Sequence, residues 1–112
     1  MGVTIELPME SDAAVSTLSA LAQETRLAIF TMLARKDRVG LSAGDIGEIL
    51  NIPLPTLSYH LGQLKRAGLV SSRRHARTIM YSANHNAIDG LIEHLVKSCC
   101  HDIDPSNGSA PH

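Results

Sequence analysis

The order of apolar and polar positions divides the chain into five helical segments and one short stretch of different period. Residues 1–11 mix apolar and acidic side chains around Pro8 without a sustained period, and are expected to form a flexible arm. Ser11 or Asp12 can then cap a first helix, with Val15, Leu18, Leu21 and Ala22 on one stripe. A second helix is predicted from Glu24 to Lys36, where Leu27, Phe30, Met32, Leu33 and Ala34 leave little of the circumference polar, as in a central buried helix. Ser42 followed by Asp45 opens a third helix like a capping box, with Asp in place of the usual Glu, and its inner stripe is Ile46, Ile49 and Leu50. Asn51 ends it. Pro55 suits the first turn of a fourth helix running to about Ala67 with Leu57, Leu61 and Leu64 inside, and Gly68 closes it by tolerating left-handed backbone.

The period then changes. Leu69 to Arg74 and Arg77 to Ser82 are two short segments holding Val70, Thr78, Ile79 and Tyr81, with His75 and Ala76 between them, which reads as a two-stranded ribbon. A last helix starts near Asn84 or Asn86, and Ile88, Leu91, Ile92, Leu95 and Val96 form a regular stripe that Cys99 continues. That stripe is larger than one small domain needs, which predicts a homodimer joined through the first and last helices. Residues 102–112, largely Pro, Ser, Gly and Asn, are expected to be a disordered tail, leaving 12–101 as one domain. The fold class is therefore mainly α with a small β-hairpin.

Composition supports this picture and narrows it. Only Phe30, Tyr59 and Tyr81 are aromatic in a chain of 112 residues that is 44% hydrophobic, so the core is built from the aliphatic residues typical of packed helices. No apolar run reaches the length of about 20 residues that spans a membrane, and the N-terminus lacks the order of a secretory signal, so the reading is cytoplasmic, with no membrane partner. The net charge of −1 argues for no particular partner, but its distribution does. From Lys65 to Arg77 the chain carries Lys65, Arg66, Arg73, Arg74 and Arg77 with His75 and no acid, a local positive field.

Two short helices joined by a few residues and followed by a basic ribbon have the shape of a winged helix-turn-helix. On the fourth helix Pro55, Tyr59, Gly62, Gln63 and Arg66 point outward, with Thr56 and Ser58 on the flanks. Gly62 in mid-helix costs about 1 kcal/mol relative to Ala, which makes sense where something must approach closely, as duplex DNA would. His60 lies on the inner flank and reads as a packed, hydrogen-bonded core histidine rather than a DNA contact.

Three runs then carry a resemblance: Leu21 to Ile29, Ile46 to Leu50, and Thr56 to Val70, with its Ser-x-His-Leu-x-x-Leu-x-x-Ala-Gly-Leu-Val pattern. Over roughly Leu18 to Ser82 the chain resembles the ArsR/SmtB family of metalloregulatory repressors. The resemblance implies a dimer on inverted-repeat operator DNA, released by an effector. It implies that Pro55, Ser58 and Tyr59 meet base edges, while the wing basics Arg73, Arg74 and Arg77 hold phosphates.

Family effector sites map unevenly onto this sequence. The Cys-x-Cys pair found on the third helix of relatives falls on Ser42 and Gly44, so that thiolate site is absent. The site built on terminal helices keeps Asp89 but has Leu91 where a His is wanted, and would need Cys99 and Asp102 as the other ligands. What remains is the pair Cys99 and Cys100, followed by His101; adjacent cysteines cannot form an ordinary disulfide framework. One reading has Cys99 simply extending the Leu95 stripe as a small buried hydrophobe. The other has two soft thiolates binding trivalent arsenic. Relatives of arsenic-responsive type carry such a pair plus a third Cys, which is missing here. Either another ligand completes arsenite, or the effector is a mono-substituted arsenical such as methylarsenite, which needs only two thiolates. No cofactor is required. Zinc would call on His94, His101 or Asp102 in addition. A thiol enzyme is disfavoured, because there is no Cys-x-x-Cys beside a βαβ pattern and no Cys-x5-Arg loop. A zinc- or redox-responsive repressor and an effector-free interaction module of the same fold stay as alternatives.

Overall fold

The computed structural model describes residues 10–100, and of residues 10 and 100 the backbone only. The expected arm, apart from residues 10 and 11, and the expected tail lie outside the described residues, as does His101. Five helices and three strands follow in the order α1 (Glu10–Leu21), α2 (Glu24–Ala34), β1 (Leu41–Ser42), α3 (Ala43–Leu50), α4 (Leu54–Arg66), β2 (Val70–His75), β3 (Thr78–Ala83) and α5 (His85–Cys100). This is a mainly helical winged helix-turn-helix. Its wing is one strand larger than the ribbon read from the sequence, because β1 adds to β3 in an antiparallel sheet of order β1-β3-β2. Among the described residues no helix is long and apolar enough to cross a membrane.

The local signals act where chemistry requires them. Ser42 caps α3 by accepting the Asp45 backbone N–H at 3.1 Å. Asn51 takes up a left-handed conformation (φ 57°) after α3. At the end of α4 the Leu69 N–H reaches the Leu64 carbonyl (2.9 Å) and the Gly68 N–H the Lys65 carbonyl (3.0 Å), a Schellman closure with Gly68 at φ 78°. Asn84 starts α5: its Oδ1 accepts the Asn86 N–H (3.2 Å) while its Nδ2 donates to the Gly68 carbonyl (2.9 Å). The residue that precedes the last helix is thus tied to the end of α4.

The core gathers Ile29, Phe30 and Leu33 from α2, Ile46 from α3, Leu57, Leu61 and Leu64 from α4, and Leu69 and Val70 beyond it. Stripes in α2, α3 and α5 differ from their expectation. In α1 the buried positions are Ala14, Thr17 and Ala20, while Val15 and Leu18, on the stripe expected to meet a second subunit, are 64% and 45% exposed. Small residues let α1 lie close to its neighbours, and the Thr17 hydroxyl is satisfied by donating to the Ala13 carbonyl (2.9 Å). In α2 Leu27 is exposed and Ile29 takes the buried place; in α3 Ile49 is exposed and Ile46 alone is fully buried. In α5 Leu91 packs inside the chain at 8% exposure, whereas Ile92, Leu95 and Val96 face outward. The α5 stripe is therefore split between two faces. One closes the domain, and the other, like Val15 and Leu18 on the adjoining α1, is an apolar surface without a partner in the single chain.

Candidate nucleic-acid interface

Helix α4 buries Leu57, His60, Leu61 and Leu64, and this fixes what its other side presents. Pro55, Thr56, Ser58, Tyr59 and Arg66 are exposed, and Gln63 is half-buried. At Gly62 an added Cβ would meet only the tip of Arg66, at 4.0 Å, so the helix surface there is flat and open. Pro53 precedes α4 without a side-chain cap. The N–H groups of Leu54 and Thr56 in the first turn are thus left for an outside acceptor, and the end of the helix dipole they form favours an anion.

The wing sets its basic side chains on two faces. Register pairs Val70 with Ala83, Ser72 with Tyr81 and Arg74 with Ile79, so by alternation Arg74 shares the face of buried Val70, the side on which α4 packs. Arg73, paired with Met80, leaves the sheet on the opposite face, where it lines a cleft with Lys36, Arg38 and His85. Arg77 stands in the turn beside Ala76, whose φ of 62° bends the ribbon. Arg66 lies on α4 itself, Arg74 on the sheet face toward α4 and Arg77 at the turn of the wing, and Arg73 is set apart from them on the other face.

His60 is buried beneath this surface, as its place on the inner flank predicts. Its Nδ1 lies 3.3 Å from Arg26 Nη1. A guanidinium only donates, so Nδ1 is the acceptor and the ring is neutral with its proton on Nε2. Burial, and then the positive charge of Arg26, push the His60 pKa below its ordinary 6.5. Arg26 does more than hold the ring: its Nε donates to the Ala20 carbonyl (2.6 Å), and its backbone N–H to the Gln23 side chain (2.9 Å). The residue links the end of α1, the start of α2 and the middle of α4. Arg26 falls within the run Leu21 to Ile29, but this role is not legible there, since its partner is 34 positions away and only folding brings the two together.

Cys99 is exposed in the last turn of α5. Among the described residues no group of three or more His, Cys, Asp or Glu side chains converges as metal ligands would.

Comparison with known proteins gives this arrangement a family. A sequence-family profile described as a helix-turn-helix domain matches residues 21–73. The transcriptional activator HlyU of Vibrio cholerae is 36% identical over 95 residues, spanning 85% of both chains. An ArsR-like transcriptional regulator from Rhodococcus sp. RHA1 superposes with a TM-score of 0.77 at 28% identity, over 84% of this chain and 86% of the other. A homodimeric winged helix-turn-helix DNA-binding domain from Mycobacterium bovis has the same fold, with a TM-score of 0.63 at 24% identity over 91% and 90% of the two chains. Fold and surface define a winged helix-turn-helix DNA-binding protein. The chain belongs to the ArsR/SmtB family of transcriptional regulators, and its relatives are regulators rather than enzymes.

Proposed function

We propose that the protein is a homodimeric, cytoplasmic repressor that binds an inverted-repeat operator through α4 and the wing and is released when trivalent arsenic is held by Cys99 and Cys100. The outward apolar face of α1 and α5 supports the dimer, and the homodimeric relative of the same fold supports it further. Twofold symmetry then calls for two half-sites in inverted order. Thr56, Ser58, Tyr59 and Gln63 present polar and aromatic groups to base edges with the ring of Pro55 beside them, and Arg66, Arg74 and Arg77 hold phosphates, a role for which the sequence also offers Arg73. Arg74→Gln and Arg77→Gln are expected to weaken every duplex alike and to flatten the plot of log affinity against log salt by up to about one unit each. Tyr59→Ala is expected instead to change the preference among operator sequences. Equal losses on operator and random duplex for Tyr59→Ala would remove it from the reading set.

The observation that carries the arsenic reading is the position of Cys99. It is exposed and lies seven residues after Ile92 and three after Val96, on the outward face of α5, so an effector held there acts at the edge of the dimer contact. Each As–S bond forms as a thiol displaces a hydroxyl from arsenic, and the hydroxyl leaves as water with the thiol proton. Two such exchanges load methylarsenite fully and leave arsenite one hydroxyl. Bending the end of α5 at that edge then changes how the two protomers, and with them the two α4 helices, are spaced. Coupling of 1 to 3 kcal/mol lowers operator affinity by roughly 5- to 150-fold. Fluorescence anisotropy on operator DNA tests this with methylarsenite, arsenite, zinc and an oxidant added in turn. Cys99→Ser and Cys100→Ser are expected to bind DNA normally and ignore arsenicals. A wild type that stays bound at saturating arsenical, or a Cys100→Ser protein that still lets go, ends the dithiolate reading, and release by zinc or oxidant alone moves the function to those effectors.

A further inference from the structure

Between the end of α2, the turn into β1, the outer side of the wing and the first residue of α5 lies a half-open cleft of about 380 Å³. That volume falls in the range of small-molecule sites. Lys36, Arg38 and Arg73 line it, together with the imidazole of His85. Among the described residues none of the three cations has an ion-pair partner; the ion pair found there joins Lys97 to Glu93 at 3.1 Å, elsewhere on α5. Asp37 is the one acid on the cleft wall, and its Oδ1 is committed to the turn, accepting the Val39 N–H (3.1 Å) and the Gly40 N–H (3.4 Å). The carbonyls at the end of α2, which would repel an anion, are also engaged. Ala34 accepts from His85 Nε2 (3.1 Å), and Leu33 accepts from the Lys36 N–H (3.0 Å).

We infer that this cleft is a binding site for a small polyanion, a molecule carrying phosphate or several carboxylates, distinct from both the DNA surface and the cysteine pair. Three cations against the single carboxylate of Asp37 leave this concave wall with an excess of positive charge, and an anion among them would offset it while making charge-assisted hydrogen bonds. The DNA backbone offers the same phosphate chemistry, but the cleft sits at the wrong end of the wing. Ser82, on its wall, pairs with Ser71, five residues before the turn at Ala76, and at about 3.3 Å per residue this is roughly 16 Å from the tip. Arg73 also leaves the sheet on the face opposite to Arg74. The ligand would bridge the wing and the first turn of α5.

The test is a ¹H–¹⁵N correlation NMR titration of the full-length protein with sodium pyrophosphate and, separately, citrate, at matched ionic strength. Saturable shifts confined to residues 36–40, 73 and 82–85 are expected. Lys36→Gln and Arg73→Gln should each raise the apparent Kd about tenfold, the loss of a charged hydrogen bond. Lys97→Gln, which removes the same charge elsewhere, should leave it unchanged. Shifts of equal size at Arg66, Arg74 and Arg77, or none that saturate at millimolar anion, would overturn the site. So would an Arg73→Gln protein that keeps anion binding and instead weakens operator and random duplex in parallel, for that would make the cleft a backbone-phosphate contact.

Discussion

Gly40→Ala is expected to be the most damaging single methyl that can be added to this protein. Gly40 sits at φ 79°, just before β1, and a Cβ built there would lie 1.9 Å from the Tyr81 carbonyl oxygen and 2.7 Å from its carbon. Both are backbone atoms of β3 in the register Leu41 to Tyr81, so no side chain can swing away, and the strands must part. Left-handed backbone costs an L-residue about 1–2 kcal/mol, and forced overpacking adds about 1–3 kcal/mol. Gly68 provides the control, because it has nearly the same φ, 78°, and nothing within 4 Å of an added Cβ. Gly68→Ala should therefore show the backbone cost alone. In a domain of this size roughly 1 kcal/mol moves Tm by about 4–8 °C, so thermal melts followed by circular dichroism should place Gly40→Ala well below Gly68→Ala. Equal melting points for the two would mean that β1 does not pack on β3 as described.

The same turn shows where the sequence was legible and where it was not. Ser42, Pro55, Gly68 and Asn84 are local devices whose meaning depends on neighbours within a few positions, and each acts in the structure at the place expected. The buried set Leu57, Leu61 and Leu64 follows from period alone, and with it the outward set Pro55, Thr56, Ser58 and Tyr59. Strand β1 is different. It has two residues and exists only because Tyr81 and Met80, about 40 positions later, offer it an edge. No periodicity can report that. The Arg26 to His60 contact and the cleft around Arg73 are hidden for the same reason.

The stripes of α1 and α5 show a second limit. Periodicity identifies apolar positions but does not say whether each meets its own chain or another. In α1 the small residues Ala14, Thr17 and Ala20 meet the chain itself, and the larger Val15 and Leu18 stay exposed. Leu91 was counted with the dimer contact, yet it is buried within the chain, so Leu91→Glu should unfold the domain and says nothing about association.

The double variant Ile92→Glu/Val96→Glu separates the two. Both side chains are 53% exposed in the single chain, so the protomer can carry carboxylates there without burying them. In a dimer that closes over α1 and α5 the symmetry brings four added charges into one apolar contact, and desolvating unpaired ions costs several kcal/mol even after relaxation. Each 1.4 kcal/mol is a factor of about ten, so the dimerisation constant should weaken by at least about a thousandfold. Sedimentation equilibrium should find monomers whose far-ultraviolet circular dichroism keeps the helical signal. Operator affinity should collapse with it, because one recognition helix on one half-site lacks the effective concentration that the second gains from the first. Binding to an isolated half-site should change little, since α4 and the wing are untouched. A folded dimer with wild-type operator affinity would show that the exposed face of α1 and α5 is not the subunit contact, and the proposed arsenic switch, placed at the edge of that face, would lose its lever.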